Sequence, residues 1–75
     1  MPKLPLLSTV EVVKALSKIG YVFDHQSGSH IILRNIRPPH RRVVVPNRKE
    51  VPRGTLRAIV REVGLTPEEF IKLLG

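Results

Sequence analysis

The sequence predicts an α+β domain in which a three-stranded antiparallel sheet carries its helices on one face. Three observations predict it. An amphipathic helix opens the chain, three short β-rich runs bounded by turn residues follow, and two further helical segments with their own start signals close it. The 75 residues make one domain over 1–75, because so short a chain has no room for a second core.

The first helix starts at a capping box. The Ser8 hydroxyl can accept from an early backbone N–H, and the Glu11 carboxylate, three residues on, can reach back. Val12, Val13, Leu16 and Ile19 recur at helical spacing, Lys14 and Lys18 fall off that stripe, and Gly20 is the stop. Tyr21–Gln26 reads as the first strand, with Ser27-Gly28 as the hairpin turn and Gly28 free to take a positive φ. His30–Arg34 is the second strand. Alternation puts Ile31 and Leu33 inward and leaves His30, Ile32 and Arg34 on the open face. Asn35–His40 is a connection interrupted by Pro38-Pro39, and Arg41–Val45 is the third strand, with Val43 and Val45 matched to the inward residues of the second. A basic loop, Arg48–Gly54, leads to a second helix capped by Thr55, with Leu56, Ile59, Val60 and Val63 as its apolar stripe and Gly64 as its end. Thr66-Pro67-Glu68-Glu69 starts a short last helix, which docks through Phe70, Ile71, Leu73 and Leu74.

Composition removes several chemistries. Without cysteine there is no disulfide framework, thiolate metal site or cysteine nucleophile, which suits a reducing cytoplasm. Leu4, Leu6 and Leu7 are interrupted by Pro2 and Pro5, so the N-terminal stretch predicts neither a signal peptide nor a membrane span. The net charge of +7 is concentrated in the middle. Residues 27–61 hold Arg34, Arg37, Arg41, Arg42, Arg48, Lys49, Arg53, Arg57 and Arg61 against the single acid Glu50. Such a field, richer in arginine than lysine, fits bidentate contacts to phosphate; an acidic protein is the other partner class it fits.

Three histidines are available, and no HxH or HxxxH spacing joins two of them, so no metal site is expected. Cutting RNA asks for less. The neighbouring 2′-hydroxyl is the nucleophile, and the protein need only move protons and steady the phosphorane charge. His30, just past the turn, has the right chemistry for the first task, and Arg34 with Arg41 or Arg42 for the second. His25, across the hairpin, is the other available acid–base group but reads as an exposed strand end. His40 reads as exposed in the proline loop, and Asp24 as either a partner for a histidine or polar turn flank. The competing reading is a non-catalytic RNA-binding module on the same basic face; a basic adaptor for an acidic protein is a third.

Taken in order, the helix ending at Gly20, the aromatic strand, Gly28-Ser29-His30, Val45-Pro46, Pro52-Arg53-Gly54-Thr55-Leu56-Arg57 and Gly64-Leu65 with Phe70 beyond resemble the HicA family of bacterial and archaeal toxins, over nearly the whole chain. The resemblance implies a fold like the double-stranded-RNA-binding domain and a messenger-RNA interferase; with no metal site expected from the histidine spacing, the leading reading is a metal-independent endonuclease without a cofactor. The resemblance implies His30 as the catalytic residue in a turn shaped by Gly28 and Ser29. It also implies RNA contacts from Arg34, Arg41, Arg42, Arg48, Lys49, Arg53, Arg57 and Arg61, and a HicB antitoxin that covers the site; the free toxin is expected to be a monomer. The chain departs from the family pattern at Ser27, Ile31 and Asn47 and in its longer, proline-rich Asn35–His40 connection.

Overall fold

The computed structural model describes residues 3–75, so Pro2 lies outside the described residues. The order is α1 (Thr9–Ser17), β1 (Tyr21–Ser27), β2 (His30–Asn35), β3 (Arg42–Pro46), α2 (Arg53–Glu62) and α3 (Pro67–Lys72). The strands form one antiparallel sheet in the order β1-β2-β3, with β2 in the centre. This is the α+β, double-stranded-RNA-binding-domain-like arrangement that the sequence predicts.

Local signals set most element ends. Ser8 caps α1, its hydroxyl accepting from the Glu11 N–H while the Glu11 carboxylate accepts from the Ser8 N–H; Thr66 and Glu69 repeat the device at α3. After α1 the chain turns at Gly20, whose φ of +98° suits glycine, and a Cβ there would stand 2.9 Å from Asn35 Oδ1. α2 differs from expectation. It begins at Arg53 behind Pro52, which provides no side-chain cap, and Thr55 lies inside its first turn. Proline is well suited to helix entry because its φ is preset, but it leaves the first-turn amides of α2 without a side-chain acceptor. The hairpin loop is also shifted by one residue, to Gly28-Ser29, because Ser27 pairs with His30.

The core lies between the sheet and the helices. Leu33, Val43 and Val45 face Val12, Ala15 and Leu16 of α1 and Leu56, Ile59 and Val60 of α2, with Phe70 of α3 fully buried among them. Ile31 pairs with Val45 and Leu33 with Val43, so the predicted register holds, although Ile31 is only half-buried. Ile32, on the opposite face, is also largely covered, since its central strand places His25 and Val44 on either side of it. The N-terminal segment, to which the sequence gives no role, is structural: Leu4 and Leu7 enter the core, and Leu7 bridges to fully buried Val51, whose N–H donates to the Leu7 carbonyl at 2.7 Å.

One irregularity decides what the open face carries. The pairing runs Ser27–His30, Gln26–Ile31 and His25–Ile32, then skips Asp24 and resumes at Phe23–Leu33. Without that bulge Asp24 would stand opposite Leu33 on the helix-facing side of the sheet, away from Arg34 and Arg42. The extra residue puts Phe23 on the helix-facing side, where it stays 59% exposed beside Val10, Val13 and Ile31, and turns Asp24 outward beside His25.

Thr9 is the buried polar side chain of the described core. Its hydroxyl accepts from the Arg48 N–H at 2.7 Å and reaches the carbonyl oxygens of Pro46 and Arg48, while its own N–H donates to the Arg48 carbonyl at 3.0 Å. The start of α1 is thereby fastened to the end of β3. Thr9→Val keeps the side-chain shape and deletes the hydroxyl, leaving the Arg48 N–H without its acceptor. Urea unfolding should show a loss of about 1–3 kcal/mol, and Thr9→Ser should recover most of it.

Candidate active site

The hairpin presents His30. Gly28 has a φ of +58°, as the first central residue of a two-residue type II′ loop requires, and the space around it is open. The Ser29 carbonyl accepts from the Asn47 N–H at 2.7 Å, which fastens the loop to the chain leaving β3. His30 then opens β2 opposite Pro46, with its ring exposed on the sheet face away from the core. It shares a shallow hollow of about 310 Å³ with Val44, Pro46, Arg48, Pro52 and Thr55. Two positive features meet in that hollow: the Arg48 side chain, and the uncapped N-terminus of α2, whose first-turn amides and dipole favour an anion. The backbone of Arg48 is the one that Thr9 holds.

A second cluster occupies the other end of the same face. Asp24 Oδ2 accepts from His25 Nδ1–H at 2.9 Å and from Arg42 Nε–H at 3.4 Å, and Asp24 Oδ1 lies 3.8 Å from Arg34 Nε. Exposed ion pairs stabilise little; what this one fixes is orientation. The bond to His25 and, after it, the Arg42 guanidinium hold the Asp24 carboxyl below its ordinary range. His40, at φ +60°, places Nδ1 3.1 Å from the Asn35 carbonyl, so its ring closes the β2–β3 connection.

These positions divide the residues expected to bind RNA. Arg34 is four residues from His30 on the same strand face, about 13 Å away, and Arg42 pairs with Arg34, so neither shares the His30 hollow. Arg41 lines a separate hollow of about 140 Å³ with Arg37, Pro38, Pro39 and Asn35. Lys49 is exposed in the loop beyond Arg48. Arg53 turns back, its Nε–H donating to the Leu4 carbonyl at 3.0 Å. Arg57 lies just over half a turn from Thr55, on the other exposed flank of α2, and Arg61 follows one turn later. Arg48 is therefore the basic side chain brought beside His30. Among the described residues no group of three His, Cys, Asp or Glu side chains could hold a metal ion, and no helix is long and apolar enough to cross a membrane.

The sequence matches the family model described as HicA toxin of bacterial toxin-antitoxin over residues 10–65, three-quarters of the chain. The chain belongs to the HicA toxin family. No curated protein matches it. A HicA-family chain is the toxin of a toxin–antitoxin pair, so an antitoxin is its implied partner. In this HicA-family member the matched segment contains both open-face clusters, the His30 hollow and the Asp24 group.

Because the folded Asp24 carboxyl titrates below its unfolded value, its contribution to stability is fully present above the ordinary aspartate range and is lost as pH falls through the lower, folded value. Carbon-detected NMR titration should place the Asp24 midpoint below that of an unfolded-chain aspartate, and His25→Gln should move it upward. An Asp24 midpoint unchanged by that substitution would show that the contact is absent in solution.

Proposed function

We propose that this HicA-family toxin is a metal-independent RNA endonuclease, a messenger-RNA interferase of the cytoplasm, in which His30 transfers a proton during phosphodiester cleavage. The observation that carries this reading is the company His30 keeps: an exposed imidazole in a hollow shared with Arg48 and the uncapped α2 N-terminus. A phosphate seated there would have cationic and amide donors for its developing charge, with a proton-transfer group beside it. The remaining exposed arginines, spread over β2, β3 and α2, would follow the RNA backbone on either side. A HicB-type antitoxin would silence the toxin by covering the His30 hollow.

The test is cleavage of end-labelled RNA by purified protein with chelator present. Wild-type protein should cut, and His30→Ala should lose about 10²–10⁴-fold of the rate while its circular dichroism and RNA affinity stay near wild type. Arg48→Ala should weaken binding and lower the slope of log affinity against log salt by about 0.7, the value of one phosphate contact to a single strand. RNA retained without cleavage by wild-type protein would refute the enzyme and leave an RNA-binding module.

A further inference from the structure

We infer that His25, oriented by Asp24, is a second proton-transfer residue of the same surface, serving as the general acid while His30 serves as the base. The inference rests on the nuclease reading above and adds a catalytic residue to it.

The hairpin register sets His25 opposite Ile32, on the face that carries His30, and the bulge then brings Asp24 out beside it. Ser27 is the direct partner of His30, so His25 is its diagonal neighbour, two residues along β1. Such neighbours stand roughly 7–8 Å apart on one sheet face, within reach of ring side chains. His25 does not line the His30 hollow but lies across His30 from it. A phosphodiester held at the mouth of the hollow and reaching over the His30 ring would have one ring on the side of the 2′-oxygen and the other on the side of the departing 5′-oxygen.

Asp24 accounts for the assignment of roles. Its carboxylate accepts from His25 Nδ1–H at 2.9 Å, which fixes the ring's orientation and leaves Nε2 for the substrate; the His25 side chain is 58% exposed. A carboxylate against one ring nitrogen also offsets the positive charge of a ring protonated on both, the form a general acid needs. The charged and titratable groups facing His25 are Asp24 on its own strand, His30 and Arg34 on β2, Arg42 on β3 and, beyond them, His40 in the connection. Asp24 is a positioning residue, since it acts through the ring.

The step balances without any co-reactant. His30 takes the 2′-hydroxyl proton, the 2′-oxygen bonds to phosphorus, and the bond from phosphorus to the 5′-oxygen breaks with its electron pair going to that oxygen. The leaving oxygen takes the proton from His25. The products are a 2′,3′-cyclic phosphate and a 5′-hydroxyl end, and solvent returns each ring to its starting state.

The experiment compares ordinary RNA with RNA carrying sulfur in place of the bridging 5′-oxygen at the linkage wild type cuts, because a thiolate leaves without needing a proton. His25→Gln should cut ordinary RNA about 10²-fold more slowly or worse yet cut the sulfur-bridged RNA near the wild-type rate, whereas His30→Ala should fail on both. The rate–pH profile of His25→Gln should lose the limb set by the acid, and that of Asp24→Asn should show the same limb displaced. Ordinary RNA cut by His25→Gln within threefold (roughly) of wild type, or an equal loss on both RNAs, overturns the acid role and leaves the His30 nuclease standing. Wild-type protein that cuts neither RNA overturns the nuclease reading and this inference together.

Discussion

The hairpin turn and the aromatic start of β1 demand incompatible registers, and the outer face of the sheet is shaped by how that conflict is resolved. Counting back from the Ser27–His30 pair with Ile31 inward, an unbroken ladder would set Asp24 against Leu33 on the helix side and turn Phe23 to the outer face. Counting forward from buried Tyr21, the inward residue is Phe23. On the helix side Asp24 would meet the apolar rim of Val10, Val13 and Ile31, whereas on the outer face it meets His25, Arg34 and Arg42. The ladder therefore yields at Asp24 and the strand gains one residue. Tyr21 is buried and Phe23 stays at the exposed edge of the helix side, while Asp24 and His25 both lie on the outer face. A packing constraint thus creates the polar cluster.

At the opposite end the equivalent constraint is the Thr9 hydroxyl. Pro46 has no N–H to give, and its carbonyl at the end of β3 has to find a donor away from the sheet. Thr9 supplies contacts to Pro46 and Arg48 from the first residue of α1. The chain beyond β3 is held at that point before it crosses to Val51, the Leu7 bridge and the start of α2. Arg48, Pro52 and Thr55 come to surround His30 because this path is fixed, although none of them is near it in sequence.

The fold was legible where local chemistry dictates it: both capping boxes, the glycine turns, the inward set Leu33, Val43 and Val45, and the stripe of α2 follow from spacing alone. His30 was legible as an exposed residue on the open face, since its position depends only on the hairpin and the period of two. Its neighbours were not. Arg34 shares its face but not its hollow, and Arg48 enters through a tertiary tether whose key, a threonine at the first turn of α1, looks like any helix-start residue. The start of α2 was displaced because Thr55 satisfies the capping pattern, while the proline-led entry at Pro52 leaves no side-chain signature. The bulge did leave a trace. The Gly28 turn and inward Ile31 together put Asp24 rather than Phe23 on the apolar side unless one residue is skipped, so counting both registers against each other exposes it.

The place of Asp24 also explains how two arginines can stand side by side. Arg34 and Arg42 are direct cross-strand partners, and like charges in that relation repel. The bulged carboxylate lies between them, 3.8 Å from one Nε and 3.4 Å from the other, and offsets that repulsion while still holding His25. One acid shared with two arginines leaves the group net positive even with His25 neutral, and protonation of His25 adds a further charge. A phosphate arriving there would meet arginines already held beside Asp24, so less side-chain entropy would be lost on contact. Removing the acid would strengthen the bare positive field yet release both arginines and the imidazole from their orientations. Charge and orientation pull in opposite directions at this residue, and a surface built only to attract RNA would have no reason to keep a carboxylate at its centre.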